Sequence, residues 1–338
     1  MPIASSSLVG LSETNVDRLT PVPLQQRRGF LDRPLMRLAH AEAHAAVPAF
    51  REIELKHPAQ TAPFAGPLRI AAWNLERCLY PDAAARLLQR HGASLALLTE
   101  MDGGMLRTGQ ARTIARVADA LGQGYAYGLE FLELDPMPPP PGFPIVGTDN
   151  DAGFHGNGIV TSLTIEHATV IRLDEVADWF VAPKGGQRRI GNRMALAATI
   201  SSGTRVRFLA CSVHLERATD GTGRVTQMRT LLDSIDQLAD DLPVLIGGDL
   251  NTHVQPGGHD DAAEPLFSLA KQRGYDFSSC NLARPTTRDS IWTKSEGTRQ
   301  LDWFCTRGLV ASEPEIVPSL APDGTALTDH ELILVAIG

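Results

Sequence analysis

Apolar residues along this chain come in short runs of five to nine, and most of these runs end in a polar or titratable side chain. Leu68-Arg69-Ile70-Ala71-Ala72-Trp73, Leu95 to Thr99, Tyr125 to Leu132, Val206 to His214 and Leu242 to Ile246 have the length and content of buried strands. Gly158 to Leu163 and Thr169 to Leu173 read as a strand pair. Between the runs the period changes from two to about 3.6. Ala83 to His91 predicts a helix with Leu87 and Leu88 inward and Gly92 as its stop. Gln110 to Leu121 predicts another, with Ile114, Val117, Ala118 and Leu121 on one face. Val225, Met228, Leu231, Leu232, Ile235 and Leu238 form a third helical stripe, a core face. Strands alternating with helices predict an α/β class. The segment Pro136 to Gly153, with its run Pro138 to Pro141, cannot enter a sheet centrally. It reads as a rigid surface insert, or as a lip over a site.

The residues that end the strand-like runs carry the chemistry. Gly247-Gly248-Asp249-Leu250-Asn251-Thr252-His253 follows one run, and its two glycines are expected to let the backbone turn. Asp249 and Asn251, two apart, would share one face of an extended segment. An anionic and an amide oxygen side by side suit a hard cation such as Mg²⁺ or Mn²⁺. Asn74 and Glu76 follow the run ending at Trp73, Glu100 follows Thr99, and His214 ends Val206 to His214. Asp302 lies in Gln300 to Cys305, and Asp329-His330 precede the last apolar run. Any one of these could be a turn or a satisfied core group. Six at strand ends predict one site built from loops on a rigid scaffold.

The order WN-x-E, TE, HL, GGDLN, LDWF and a C-terminal DH resembles the endonuclease/exonuclease/phosphatase family over about residues 67 to 338. The resemblance implies a four-layer α/β sandwich of two facing mixed β-sheets flanked by helices, and Mg²⁺- or Mn²⁺-dependent hydrolysis of phosphoesters, above all phosphodiesters. It implies metal ligands among Asn74, Glu76, Glu100, Asp249 and Asp329. It gives Asp249 and Asn251 the nucleophile and a phosphate oxygen, and His330 the phosphate or the base role. Asp302 would fix the tautomer of His330, and His214 would serve the leaving group. Abasic-site endonucleases carry tyrosine where His214 stands, which argues against that subgroup.

Two further clusters are expected to set substrate. Gly153 to Val160 brings His155 and Asn157 through a glycine-rich turn, and Arg188, Arg189 and Arg193 form the densest basic patch, suited to clamp an anion. The net charge of −8 falls as +1 on residues 1 to 66 and −9 on the remainder, so no basic stripe for tight nucleic-acid binding is advertised. The substrate is a small phosphorylated molecule, a lipid headgroup or a nucleic acid. A nonspecific nuclease, a relative cutting a non-phosphate bond, and a binding protein without turnover stay open, because fold does not fix reaction. Cys78, Cys211, Cys280 and Cys305 show no zinc spacing and read as buried free thiols of a reducing cytoplasm. No apolar run reaches the roughly 20 residues that span a bilayer, and the first residues resemble neither signal nor anchor. Residues 1 to 66 are expected to form an arm packed on the domain of residues 67 to 338, with a helix between Asp32 and Phe50 and a linker from His57 to Pro67. The oligomeric state is left open.

Overall fold

A computed structural model describes residues 10–61, 66–183, 187–202, 206–253, 262–294 and 299–338. The chain starts with short strands β1 (Gly10–Ser12) and β2 (Thr14–Val16), helices α1 (Leu24–Leu31) and α2 (Arg37–Ala45), and β3 (Glu52–Lys56). β4 (Leu68–Arg77), α3 (Pro81–Arg90), β5 (Leu95–Gly103), α4 (Thr113–Leu121), β6 (Gly124–Glu133) and β7 (Phe154–Thr161) follow. Next come β8 (Thr164–Arg172), β9 (Arg189–Gly191), β10 (Met194–Ser201), β11 (Arg207–His214), α5 (Gly221–Ala239) and β12 (Val244–Asp249). α6 (Leu266–Gln272), β13 (Asp302–Arg307), β14 (Ala311–Val317) and β15 (Leu332–Ile337) complete it.

Two mixed sheets result. One runs β1-β8-β10-β11-β12-β13; the other runs β14-β15-β4-β5-β7-β6-β3-β2, with β9 on β6. A core of Ile70, Leu97, Leu196, Phe208, Leu245 and Phe304 fills the space between them. Leu87, Leu88, Val117 and Ala118 of α3 and α4 cover the outer face of the second sheet. Met228, Leu231, Leu232, Ile235 and Phe267 of α5 and α6 cover the first. The order helix, sheet, sheet, helix is the expected four-layer sandwich. Asp220 caps α5, its carboxylate accepting from the Thr222 and Gly223 N–H groups. All four cysteines are free and buried.

Three expectations change. Gly158 to Leu163 and Thr169 to Leu173 do not pair with each other: β7 lies between β5 and β6, whereas β8 lies between β1 and β10, so the chain crosses between sheets here. The glycines of GGDLN do not make a turn. They lie inside β12, where a Cβ on Gly248 would meet the Val213 carbonyl oxygen at 2.1 Å and one on Gly247 the Phe304 ring at 2.6 Å. Close approach of neighbouring chains demands them. Finally, the N-terminal segment is woven into the fold rather than laid on it. β1 edges one sheet and β2 and β3 the other, and the helix expected between Asp32 and Phe50 is α2 followed by a 3₁₀ turn at Pro48–Arg51, with the further helix α1 ahead of it. Leu35 and Leu38 are exposed. No helix among the described residues is long and apolar enough to cross a membrane.

Candidate active site

Strand register assembles the centre of the site. β11 pairs in parallel with β12, setting His214 beside Asp249, and β12 pairs antiparallel with β13, setting Asp249 beside Asp302. In the facing sheet, the β4–β5 and β5–β7 ladders slip register between Asn74 and Arg77 and between Leu98 and Met101. Glu76 (φ 43°) and Glu100 (φ 56°) sit in these irregularities in left-handed backbone, as does Asn251 (φ 50°) beyond β12. Such conformations cost of order 1–3 kcal/mol each and cluster at functional sites.

A cleft of about 490 Å³ opens here, lined by Glu76, Glu100, His155, His214, Asp249, Asn251, Asp329 and His330, with Arg189 and Arg193. Asp249 Oδ2 lies 3.6 Å from His214 Nε2, 3.7 Å from His330 Nε2 and 3.0 Å from Asn74 Nδ2. Its Oδ1 accepts from the Asn251 N–H at 2.8 Å. Asn251 Nδ2 donates to the Leu215 carbonyl, which leaves its side-chain oxygen for the cleft. Asp302, buried behind, holds His330 Nδ1 at 2.8 Å, so Nε2 points forward. Burial opposes charge on His330, but Asp302, Asp329 and Asp249 raise its pKa well above the ordinary value.

Asp249, Asp302 and His330 form a cluster of possible metal ligands, the one such group found among the described residues. An ion there would compete with the Asp302–His330 hydrogen bond. The other oxygen-rich corner is Glu76, Glu100 and Asp329. Burial and the Asp329 charge push Glu76 up to about 7, with Thr293 Oγ1 donating to it at 2.5 Å. Burial and the Glu100 and Asp249 charges also raise Asp329, against the opposing charge of His330. For Glu100 burial is outweighed by His214, His155, Arg77 and Arg193, which hold it well below the usual range. Crowded acids of this kind are what a divalent cation would relieve. Asn74 presents Nδ2, not oxygen, to Glu100 (3.2 Å) and Asp249, while its Oδ1 accepts the Glu76 N–H. It would have to turn its amide to ligate.

The predicted substrate residues divide. His155 lines the cleft, with Nδ1 2.9 Å from Asp102. Asn157 does not reach it: its Nδ2 bonds the Met194 carbonyl between the sheets. Arg188 is also elsewhere. Its guanidinium lies 4.0 Å from the Phe180 ring centroid and donates to the Leu31 and Arg33 carbonyls, so the N-terminal segment has captured it. Arg193 borders the cleft but is committed to Glu130 (2.6 Å) and Glu216 (3.2 Å), with Nη1 2.8 Å from His214 Nδ1. It shapes His214 more than it offers itself to a ligand. Arg189, paired with Glu133 at 3.0 Å, stacks against Trp179.

Sequence reasoning missed the support beneath. Arg107, fully buried, binds Asp102 through Nε and Nη2 (both 2.8 Å) and Glu133 through Nη1 (2.6 Å). Asp102 in turn holds His155, the same carboxylate–histidine arrangement as Asp302–His330. The one signal was an acid two residues after Glu100. None of Pro136 to Gly153 lines the cleft; Phe143 packs instead on Tyr80.

No protein-family model matches the sequence, and no curated protein does. Solved structures do. An endonuclease/exonuclease/phosphatase from Beutenbergia cavernae is 16% identical with a TM-score of 0.58, covering 81% of this chain and 72% of that one. A functionally unknown conserved protein from Enterococcus faecalis is 16% identical with a TM-score of 0.56, over 80% and 99%. A mannosyl-6-phosphatase from Bacteroides thetaiotaomicron is 15% identical with a TM-score of 0.54, over 80% and 99%. At these identities the likeness shows that the chain shares the fold of these structures.

Proposed function

We propose that the chain is a divalent-metal-dependent hydrolase of phosphoester bonds, phosphodiesters foremost. The observation that carries this is the convergence of two imidazoles on one carboxylate: His214 Nε2 and His330 Nε2 at 3.6 and 3.7 Å from Asp249 Oδ2. Beside them stand the acids Glu76, Glu100 and Asp329. The similar mannosyl-6-phosphatase is in keeping with a phosphate substrate.

Glu100, Glu76, Asp329 and Asp249 would hold Mg²⁺ or Mn²⁺, with Asn74 joining if its amide turns. When bound, the cation polarises a phosphoryl oxygen and stabilises the leaving oxyanion. The chain's own groups do the rest. Asp249 accepts a proton from the attacking water, and the Asn251 amide oxygen aligns that water. His330, kept as imidazolium by Asp302, donates from Nε2 to a phosphate oxygen. His214, beside Arg193, serves the leaving oxygen. Hydrogen-bond donors held in place before reaction lower the barrier because they need no reorganisation.

The test is turnover of bis-p-nitrophenyl phosphate, p-nitrophenyl phosphate, plasmid DNA and sphingomyelin, with Mg²⁺, with Mn²⁺ and with chelator. Metal-dependent release from at least one phosphate ester is expected. Turnover that survives chelation, or none on any of the four, refutes the reading.

A further inference from the structure

Seven lysines and arginines line the cleft against four acids, in a chain whose net charge is −8. The fold has gathered positive charge that the sequence disperses. Five of the seven hold a carboxylate within 4.0 Å. Arg193 pairs with Glu130, Arg189 with Glu133, Arg288 with Glu331, Lys294 with Asp289, and Arg77 lies 3.9 Å from Glu76. Arg217 and Arg299 have no such partner among the described residues, and both are exposed. Away from the cleft, some surface cations, such as Arg28 and Lys56, pair with Asp149 and Asp119, while others, such as Arg86 and Arg229, are exposed without a carboxylate within 4.0 Å among the described residues.

Arg217 and Arg299 are close to His253. Arg217 lies on the loop leaving β11, three residues beyond His214, and shares a second lining with His253. Arg299 precedes β13 and bears electrostatically on His253, helping to depress its pKa along with burial and Arg224. The Arg299 N–H donates to Thr287 Oγ1 at 3.0 Å, next to Arg288. Arg217 and Arg299 thus border the cleft near His253.

We propose that the substrate is a small molecule carrying a second anionic group besides the scissile ester, and that Arg217 and Arg299 hold this group. The inference rests on the phosphoester-hydrolase reading above. Exposed guanidinium forks match phosphate or carboxylate oxygens. A cleft of about 490 Å³ has the size of a small-ligand pocket. A chain this acidic gives a long polyanion little else to follow.

Calorimetric titration of the metal-free chain with fructose 6-phosphate and fructose 1,6-bisphosphate tests this without turnover. The bisphosphate should bind about 10-fold more tightly, the scale of two modest ion pairs. In Arg217→Ala/Arg299→Ala that ratio should fall below about threefold, and in Arg217→Lys/Arg299→Lys most of it should return, with circular dichroism confirming folding throughout. Several outcomes overturn the proposal: a ratio near one in the wild type, a ratio unchanged in the alanine pair, or a collapse produced instead by Arg288→Ala/Lys294→Ala. Tighter binding of a duplex DNA oligonucleotide than of the bisphosphate also overturns it, in favour of a nucleic-acid substrate. Failure of the hydrolase reading shows separately, as no turnover on the ester panel while the binding ratio stands.

Discussion

Replacing Arg107 by Met tests whether the buried ion network supports the site. The guanidinium is fully buried and makes two hydrogen bonds to Asp102 and two to Glu133. Methionine fills much of the space but leaves both carboxylates short of a counter-charge; Glu133 keeps Arg189 and Asp102 keeps His155. Breaking a buried pair from one side costs about 3–5 kcal/mol. For 338 residues at about 2.1 cal/mol/K each, the unfolding entropy is about 0.7 kcal/mol/K. The loss therefore predicts a Tm about 4–7 °C lower at pH 7. The pH dependence has a definite sign. Burial would raise Glu133, but Arg107 and Arg189 outweigh it and hold its pKa well below the ordinary value. Its contribution is present above the unfolded carboxylate range and is lost as pH falls toward the folded value. The gap between wild type and Arg107→Met should then narrow as pH drops from about 6 to about 3.5. Thermal unfolding followed by circular dichroism decides. A shift under about 1 °C at pH 7, or a gap that holds constant across this range, would refute the argument.

Other expectations concern the cleft. His330→Ala and His214→Ala should each lower turnover by about two orders of magnitude or more, and Asp302→Asn/His330→Ala should be little worse than His330→Ala, because Asp302 acts through the 2.8 Å bond to Nδ1; steady-state rates on the best panel substrate check this, and additive losses would show that Asp302 acts independently. Glu100→Gln should weaken Mn²⁺ binding by calorimetry; equal affinity in both proteins removes Glu100 from the metal. Gly248→Ala should destabilise the fold by several kcal/mol, about what severe overpacking costs, since the added Cβ meets the Val213 carbonyl oxygen at 2.1 Å and the backbone holds φ at 147°; a urea midpoint equal to wild type would contradict that packing.

What could be read from the sequence was what is local. A buried strand announces itself by its apolar run, and a residue at the end of that run lies at the end of the sheet. Asp249, His214 and Asp302 therefore pointed to one another before any coordinate did, and the ladders β11–β12–β13 set them side by side. What failed depended on partners far along the chain. Arg188 belongs to the same basic run as Arg193, but carbonyls at Leu31 and Arg33 claim it, about 155 residues away in sequence. β7 and β8 have the pattern of a hairpin, yet only pairing with β5 and β10 reveals that they serve different sheets. Charge is gathered by the same distant contacts. Net charge averages over the whole surface, whereas Arg77, Arg217, Arg288 and Arg299 come from four separate segments and meet at one opening. An acidic total is thus compatible with a basic mouth, and electrostatic attraction of an anion depends on that local field, not on the sum. If the attraction operates as described, the affinity advantage of a bisphosphate over a monophosphate should fall as salt shortens the Debye length from about 30 Å at 0.01 M to about 8 Å at 0.15 M. An advantage that does not change over this range would mean that exposed charge at the mouth has no part in selecting the substrate.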